Sequence, residues 1–590
     1  MTFAERRRGT EWASNEQMTT RTAGVPPSPN PSPNPSPNAN PSPTPNPNPN
    51  ASPNPNPSPN ANPSPKGADV PHRADVPNAD PVAVGRGALS FADVVAVARH
   101  GAPVVLTADA RAEIRRTRAV IEELAGDERP HYGVSTGFGA LATRHIPVER
   151  RAQLQASLIR SHAAGSGPEV EREVVRATML LRLSTLATGR TGVREETAAA
   201  YAAVLNAGIT PVVHEYGSLG CSGDLAPLAH CALAVTGEGR VRDAEGRLCD
   251  AGEALREAGI HPVTLREKEG LALINGTDGM LGMLVLAITD LRMLLHTADV
   301  TAALSVEGLL GTDAVFAADL QSLRPHPGQA AAASNLREML AGSAIIASHA
   351  GPECTRVQDA YSLRCAPQVA GAARDTVDHA EQVALRELAS AVDNPVVTLD
   401  GRVESNGNFH GAPIGYVLDF LAIVAADLAS MSERRTDRLL DVARNGGLPA
   451  FLADDPGVDS GLMIAQYTQA AVVSELKRLA APASVDSIPS SAMQEDHVSM
   501  GWSAARKLRR AVDGLTRVLA IELLTAARGI QLRAPLRPAP ATAAVIAALG
   551  AVASGPGPDR YLAPEIEAAV QFVAAGHAVA VAESVTGPLA

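Results

Sequence analysis

Apolar residues in this chain return with the period of an α-helix over stretches long enough to leave few alternatives. Leu284, Ile288, Leu291, Leu295, Ala298 and Ala302 are separated alternately by four and three positions, and Leu508, Val512, Leu515 and Leu519 repeat the pattern. Each set therefore lies on one face of a helix. Gly529 stands where the second helix is expected to stop. Aromatic side chains make up only 3 % of the 590 residues although 45 % are apolar. The core must be Ala, Leu and Val, a mixture that suits packed helices. Strand signals are confined to short stretches, Pro103–Leu106 and Pro395–Leu399, with no regular strand/helix alternation. The expectation is an all-α fold, a bundle of long helices whose apolar stripes are core rather than cofactor contacts.

From Pro26 to Pro65 the chain alternates Pro, Asn and Ser without a charge. Such a segment buries too little apolar surface to offset the entropy of ordering. The expected organisation is a disordered tail over residues 1–85 and a folded region over 86–590. Fifty-one basic against 63 acidic side chains give a net charge of −12, which argues against a nucleic-acid partner. The five cysteines are odd in number and lack CxxC spacing, so neither a disulfide framework nor a zinc knuckle is expected, and a reducing cytoplasm fits. Arg6, Arg7 and Arg8 are not followed by an apolar run, and the uncharged stretches Thr197–Val213 and Pro538–Pro558 are interrupted by Gly and Pro. No signal peptide and no membrane partner are expected.

Two glycine-rich segments could carry chemistry. Gly133-Val134-Ser135-Thr136-Gly137 satisfies the G-x-S-x-G elbow of hydrolases, but that elbow needs a buried strand before it, and Gly126–Pro130 is charged and turn-forming. In Gly217-Ser218-Leu219-Gly220-Cys221-Ser222-Gly223-Asp224, three glycines within seven residues imply a tight backbone, with the Gly223 nitrogen open to atoms that a Cβ would shield. On spacing alone this is a Gly-rich turn entering a helix at Asp224. A nucleophilic Cys221 or Ser222 stays open, since no His lies at a diagnostic spacing. No P-loop and no H-E-x-x-H helix occur, so phosphate and metal chemistry lack sequence carriers.

The segment Gly217–His230, with Tyr132–Gly139, Ser161–Gly165, Leu273–Thr277, Gln358–Arg364, Gly407–His410 and Gln494–Met500 in the same order, resembles the histidine and aromatic amino acid ammonia-lyases. The resemblance runs from about Leu89 to the C terminus. It implies a catalytic region with the tyrosine loop in its N-terminal part, a central helical bundle and a helical C-terminal part. It also implies that Cys221-Ser222-Gly223 cyclises to 4-methylideneimidazol-5-one (MIO), with no external cofactor. The family's usual tripeptide is Ala-Ser-Gly; the side chain at 221 stays outside the ring, so cysteine should be tolerated.

The chemistry explains the need for such a group. Removing ammonia from an α-amino acid breaks a scarcely acidic β C–H bond and expels a poor leaving group. A positioned base supplies about 10² to 10⁴ in rate, or about 3 to 5 kcal/mol, and enzymes commonly need about 8 kcal/mol or more. None of the twenty side chains is a good electrophile. By resemblance the methylidene carbon from Ser222 is that electrophile and Tyr132 is the base, a phenol that needs a positive or hydrogen-bonding environment to ionise. Tyr361 assists at the ring. Arg364 offers a two-pronged donor to the substrate carboxylate. Gln358 and Tyr361 precede it at steps of three and should project with it. Asn275 contacts the carboxylate end or the electrophile, and Phe409 forms a pocket wall. Ser161-His162 resembles the histidine enzymes and some tyrosine aminomutases. A Glu495 carboxylate can pair with an imidazole N–H but gains nothing from a benzene edge.

The expected activity is conversion of L-histidine to trans-urocanate and ammonia, and the resemblance implies a homotetramer with shared active sites. The alternatives are a tyrosine or phenylalanine ammonia-lyase or 2,3-aminomutase using the same electrophile, and a non-catalytic scaffold using its Pro-rich tail.

Overall fold

A computed structural model of the chain describes residues 80–590 apart from Glu128, Pro352, Glu353 and Thr355. The Pro/Asn/Ser alternation lies outside the described residues. Val82–Val84 already form a strand, paired in parallel with Val104–Leu106. Val82 and Val84 are buried, so ordered structure begins N-terminal to the 85/86 boundary drawn from composition.

The fold is all-α. Its centre is three long helices, Asp278–Gly308, Ala412–Leu440 and Gly501–Gln531, packed extensively on one another. Arg172–Ala187 and Ala366–Leu388 cover the first of these. The stripe from Leu284 to Ala302 is buried, and so are most residues on the other faces of that helix. A helix apolar all round needs neighbours on every side. Residues 269–308 and Ala412–Leu440 are long and apolar enough to cross a membrane by length and composition, and the most apolar window of the first is wholly buried inside the protein. Packing accounts for that apolarity.

Charged groups between the helices are paired. Buried Glu522 accepts hydrogen bonds from Thr301 (2.9 Å) and Ser305 (2.7 Å) and forms an ion pair with Arg435, which ties the three long helices together. Gly529 corrects an expectation, because it lies inside Gly501–Gln531 rather than after it. A Cβ there would meet Leu439 Cδ2 at 3.0 Å, so this glycine serves close helix packing, not termination. The two expected strand regions form Val104–Leu106 and Val396–Val397, the latter antiparallel to Val403–Glu404. The described sheets have two or three short strands.

Candidate active site

The site is built where the N-terminus of Asp278–Gly308 meets the Gly217–Asp224 turn. The turn leaves the strand His214–Tyr216 and enters the helix Leu225–Val235. Gly217, Gly220 and Gly223 all have positive φ, +147°, +67° and +75°. At Gly223 a Cβ would lie 2.0 Å from the Gly276 carbonyl oxygen, a position only glycine can occupy. The Asp224 N–H donates to that same oxygen at 2.7 Å. The Gly220 carbonyl accepts from the Gly411 N–H (3.0 Å) and the Ser499 hydroxyl (2.7 Å), and the Leu219 carbonyl accepts from the Met500 N–H (2.9 Å). Three distant segments thus clamp one turn.

Asp224 is the main residue that sequence reasoning missed. It does not cap its own helix. Its Oδ2 accepts from the Gly279 and Met280 N–H groups (2.9 Å each), the free donors opening Asp278–Gly308, and its Oδ1 accepts from the Ser218 hydroxyl at 2.9 Å. Burial pushes its carboxyl up to about 7 despite these hydrogen bonds. Asp278 is likewise structural. It pairs with buried Arg182, which also donates to the carbonyls of Ala272 (3.0 Å), Asn275 and Val392 (3.2 Å each) and so fixes the backbone around Asn275. Apart from Ser218, the partners of both carboxylates lie far away in sequence, where no spacing marks them.

Ser222 and Cys221 converge on Glu495. The Ser222 hydroxyl donates to Oε1 at 2.9 Å, the Cys221 thiol to Oε2 at 3.2 Å and the Ser490 hydroxyl to Oε2 at 2.8 Å. Burial, reinforced by the Glu495 charge, pushes the Cys221 thiol up to about 12. A cavity of about 820 Å³ opens beside this cluster, lined by Tyr132, His162, Ser222, Asn275 and Glu495. It adjoins a second of about 450 Å³, lined by Cys221, Phe409 and Glu495. Together they are large enough for an amino acid. A separate cavity of about 40 Å³ beneath Ala553–Arg560 has room only for molecules on the scale of water. The tripeptide fits a ring formed from its own backbone, since Gly223 has no space for a Cβ and the Ser222 side chain faces the cavity. Among the described residues no group of three or more His, Cys, Asp and Glu could hold a metal ion.

The ring-facing residues are also in place. His162 ends the helix Arg151–His162, and its Nδ1 lies 2.9 Å from the Leu158 carbonyl oxygen. With Nδ1 occupied by that carbonyl, Nε2 is the ring nitrogen left for a ligand. Asn275 donates from Nδ2 to the Asn394 carbonyl at 3.2 Å, and its buried Oδ1 has no partner among the described residues. Tyr132 accepts a hydrogen bond from the Gly139 N–H at 3.4 Å. The environment expected to favour its phenolate is not supplied within one chain. Burial, followed by the charges of Glu495 and Asp393, pushes the phenol up.

Gln358, Tyr361 and Arg364 are not brought to this cavity. Tyr361 and Arg364 share the short helix Tyr361–Arg364, with the guanidinium 4.6 Å from the tyrosine ring centre, and Gln358 is exposed just before it. This segment is anchored at the far end of Asp278–Gly308. The neighbouring Asp359 accepts from the Thr312 N–H at 2.8 Å, and Arg356 donates to the Leu310 carbonyl at 2.7 Å. The tripeptide lies at the other end of that helix, whose 31 residues span about 45 Å at ~1.5 Å per residue. Local spacing grouped Tyr361 with Arg364 correctly but could not measure this separation.

The helical bundle thus gathers a serine, a carboxylate, a histidine and a tyrosine around two adjoining cavities. The chain belongs to the aromatic amino acid lyase family, whose model matches residues 89–551. Members of that family depend in general on MIO. The chain is 67 % identical over 512 residues to the histidine ammonia-lyase of Streptomyces griseus, covering 86 % of this chain and 99 % of that protein. Among solved structures it is similar to histidine ammonia-lyase from Trypanosoma cruzi (TM-score 0.79, 38 % identity, 85 % of this chain and 95 % of that one). It is also similar to tyrosine aminomutase from Streptomyces globisporus (TM-score 0.81, 37 % identity, 86 % of this chain and 100 % of that one).

Proposed function

We propose that this chain converts L-histidine to trans-urocanate and ammonia, using MIO formed from Cys221, Ser222 and Gly223. The observation that carries the reading is the convergence of Glu495 and His162 on the cavity into which Ser222 projects. The carboxylate can accept from the ring N–H of a histidine side chain, a pairing that a phenyl ring cannot offer. The 67 % identity to the Streptomyces griseus histidine ammonia-lyase supports the same substrate.

Ring formation joins the Gly223 nitrogen to the Cys221 carbonyl carbon. That carbonyl oxygen leaves as water with the Gly223 and Ser222 amide hydrogens, and Ser222 loses its hydroxyl with its Cα hydrogen as a second water. The group so formed supplies an electron-poor alkene that turns the substrate amine into a leaving group. Tyr132 takes the β proton at its phenolic oxygen. Asn275 offers its free Oδ1 to an N–H or O–H, and Phe409 closes one wall.

The carboxylate-binding Arg364, with Gln358 and Tyr361, comes from another copy of the chain in a homotetramer. The length of Asp278–Gly308 supports this arrangement, because one chain keeps the two halves a helix apart. The cysteine pattern supports a cytoplasmic location.

Intact-mass measurement tests the proposal. The expected result is loss of two waters from the encoded mass, localised to the peptide containing Ser222 and absent in Ser222→Ala. A protein of unmodified mass that still deaminates histidine overturns it. Product analysis with histidine, tyrosine and phenylalanine separates this activity from an aromatic lyase or aminomutase.

A further inference from the structure

We propose that the Cys221 side chain is a positioning residue for Glu495, its thiol holding one carboxylate oxygen so that the other is left facing the substrate ring. The inference rests on the reading that Glu495 meets an imidazole N–H.

Three donors hold the Glu495 carboxylate, and they are not equivalent. Ser222 donates to Oε1 at 2.9 Å, whereas Cys221 (3.2 Å) and Ser490 (2.8 Å) both donate to Oε2. The Ser222 bond is temporary, because ring formation removes that hydroxyl. The two bonds to Oε2 stay. Rotating the carboxylate would break both, so Oε1 keeps pointing toward the place the serine oxygen has left, inside the cavity lined by His162 and Asn275.

Cysteine suits this role for a second reason. A thiol donates only while protonated, and sulfur beside a carboxylate in a buried place keeps its proton. Cys221 is 6 % exposed, and burial with the Glu495 charge pushes its thiol up to about 12. The donor is therefore permanent, and it is one that an alanine side chain cannot supply. The side chain flanking the ring is thereby a support for the specificity carboxylate.

The test uses the full chain and three variants, Cys221→Ala, Cys221→Ser and Glu495→Gln, each weighed to verify loss of two waters. Competitive inhibition is measured with imidazolylpropionate and with phenylpropionate, ligands that differ only in the ring. Cys221→Ala is expected to weaken the imidazole ligand about five-fold relative to the phenyl ligand, equivalent to about 1 kcal/mol. Cys221→Ser is expected to restore the ratio, and Glu495→Gln to lower it at least as far as Cys221→Ala. An unchanged ratio in Glu495→Gln means that Glu495 does not face the imidazole, and the reading beneath the proposal fails. A lowered ratio in Glu495→Gln with an unchanged one in Cys221→Ala, or no restoration by serine, overturns the positioning role alone.

A second readout needs no mature enzyme. In Ser222→Ala, which cannot form the ring, the Cys221 S–H infrared band is identified by its loss in Ser222→Ala/Cys221→Ala. It is expected below the frequency of a thiol without an acceptor and is expected to rise in Ser222→Ala/Glu495→Leu. A band that does not move with Glu495 overturns the proposal.

Discussion

Replacing Asp224 with Asn removes the charge of this side chain while keeping its shape. The amide oxygen can accept from the Gly279 and Met280 N–H groups, and the amide nitrogen can donate to the Ser218 oxygen. In the folded chain burial pushes the Asp224 carboxyl up to about 7, against an ordinary value of 3.8 that the unfolded chain retains. Between those values the folded chain holds a proton that the unfolded chain has released. The stability contributed by this proton is full below 3.8, declines as pH rises through the window and is gone above 7. The span is 7 − 3.8 = 3.2 units, on the order of 4 kcal/mol at ~1.36 kcal/mol per unit.

Moving from about pH 8 to about pH 5 crosses roughly two of those units, or about 2.7 kcal/mol. With an unfolding entropy of ~2.1 cal/mol/K per residue, a chain of this size converts that into about 2 °C of Tm. Thermal unfolding of wild type and Asp224→Asn is compared at matched protein concentration at both pH values. The wild type is expected to gain about 2 °C on the variant at the acid end. Other buried carboxyls titrate in both proteins and cancel in the difference. A wild-type-minus-variant gap that is the same at both pH values refutes the reasoning, since the buried carboxyl would then be ionised throughout.

Three further outcomes follow from the geometry. Because burial raises the Tyr132 phenol, kcat/KM should climb with pH on the alkaline side, and Tyr132→Phe should abolish that rise together with most turnover, as read from a pH–rate profile. Glu522→Gln leaves Arg435 as an uncompensated buried charge and should cost about 3 to 5 kcal/mol in denaturant unfolding while leaving the loss of two waters intact. Ser222→Ala and Arg364→Ala should each be inactive alone, yet co-expressed chains that mix at random should recover about a quarter of wild-type activity, because some shared sites then draw both intact residues. No recovery would place Arg364 and the tripeptide in the same chain's site.

How much of this was legible in the sequence depended on whether the signal was local. The heptad-like steps through Leu284 and Leu508 located two of the three central helices because side-chain periodicity is written along the chain. The same reading misplaced the end of the second at Gly529, since a glycine admits a neighbouring Leu439 as readily as it ends a helix. The motifs around Tyr132, His162, Ser222, Asn275, Phe409 and Glu495 were found as strings, and folding brings them to two adjoining cavities. Asp224 and Ser499 were read only as members of motif strings and Arg182 not at all, because most of their partners are backbone N–H and carbonyl groups of remote segments, which carry no sequence mark. Tyr361 and Arg364 were readable as neighbours, but their distance from the tripeptide exists only in three dimensions.

The helix Asp278–Gly308 acts as a ruler with a different instrument at each tip, the Asp224 anchor at one and the Asp359 segment at the other. A single residue inserted into it would lengthen the rod by about 1.5 Å and twist one tip by about 100° against the other. Surface loops can absorb an extra residue, but this rod cannot, and that intolerance restricts the routes along which the bundle can change length.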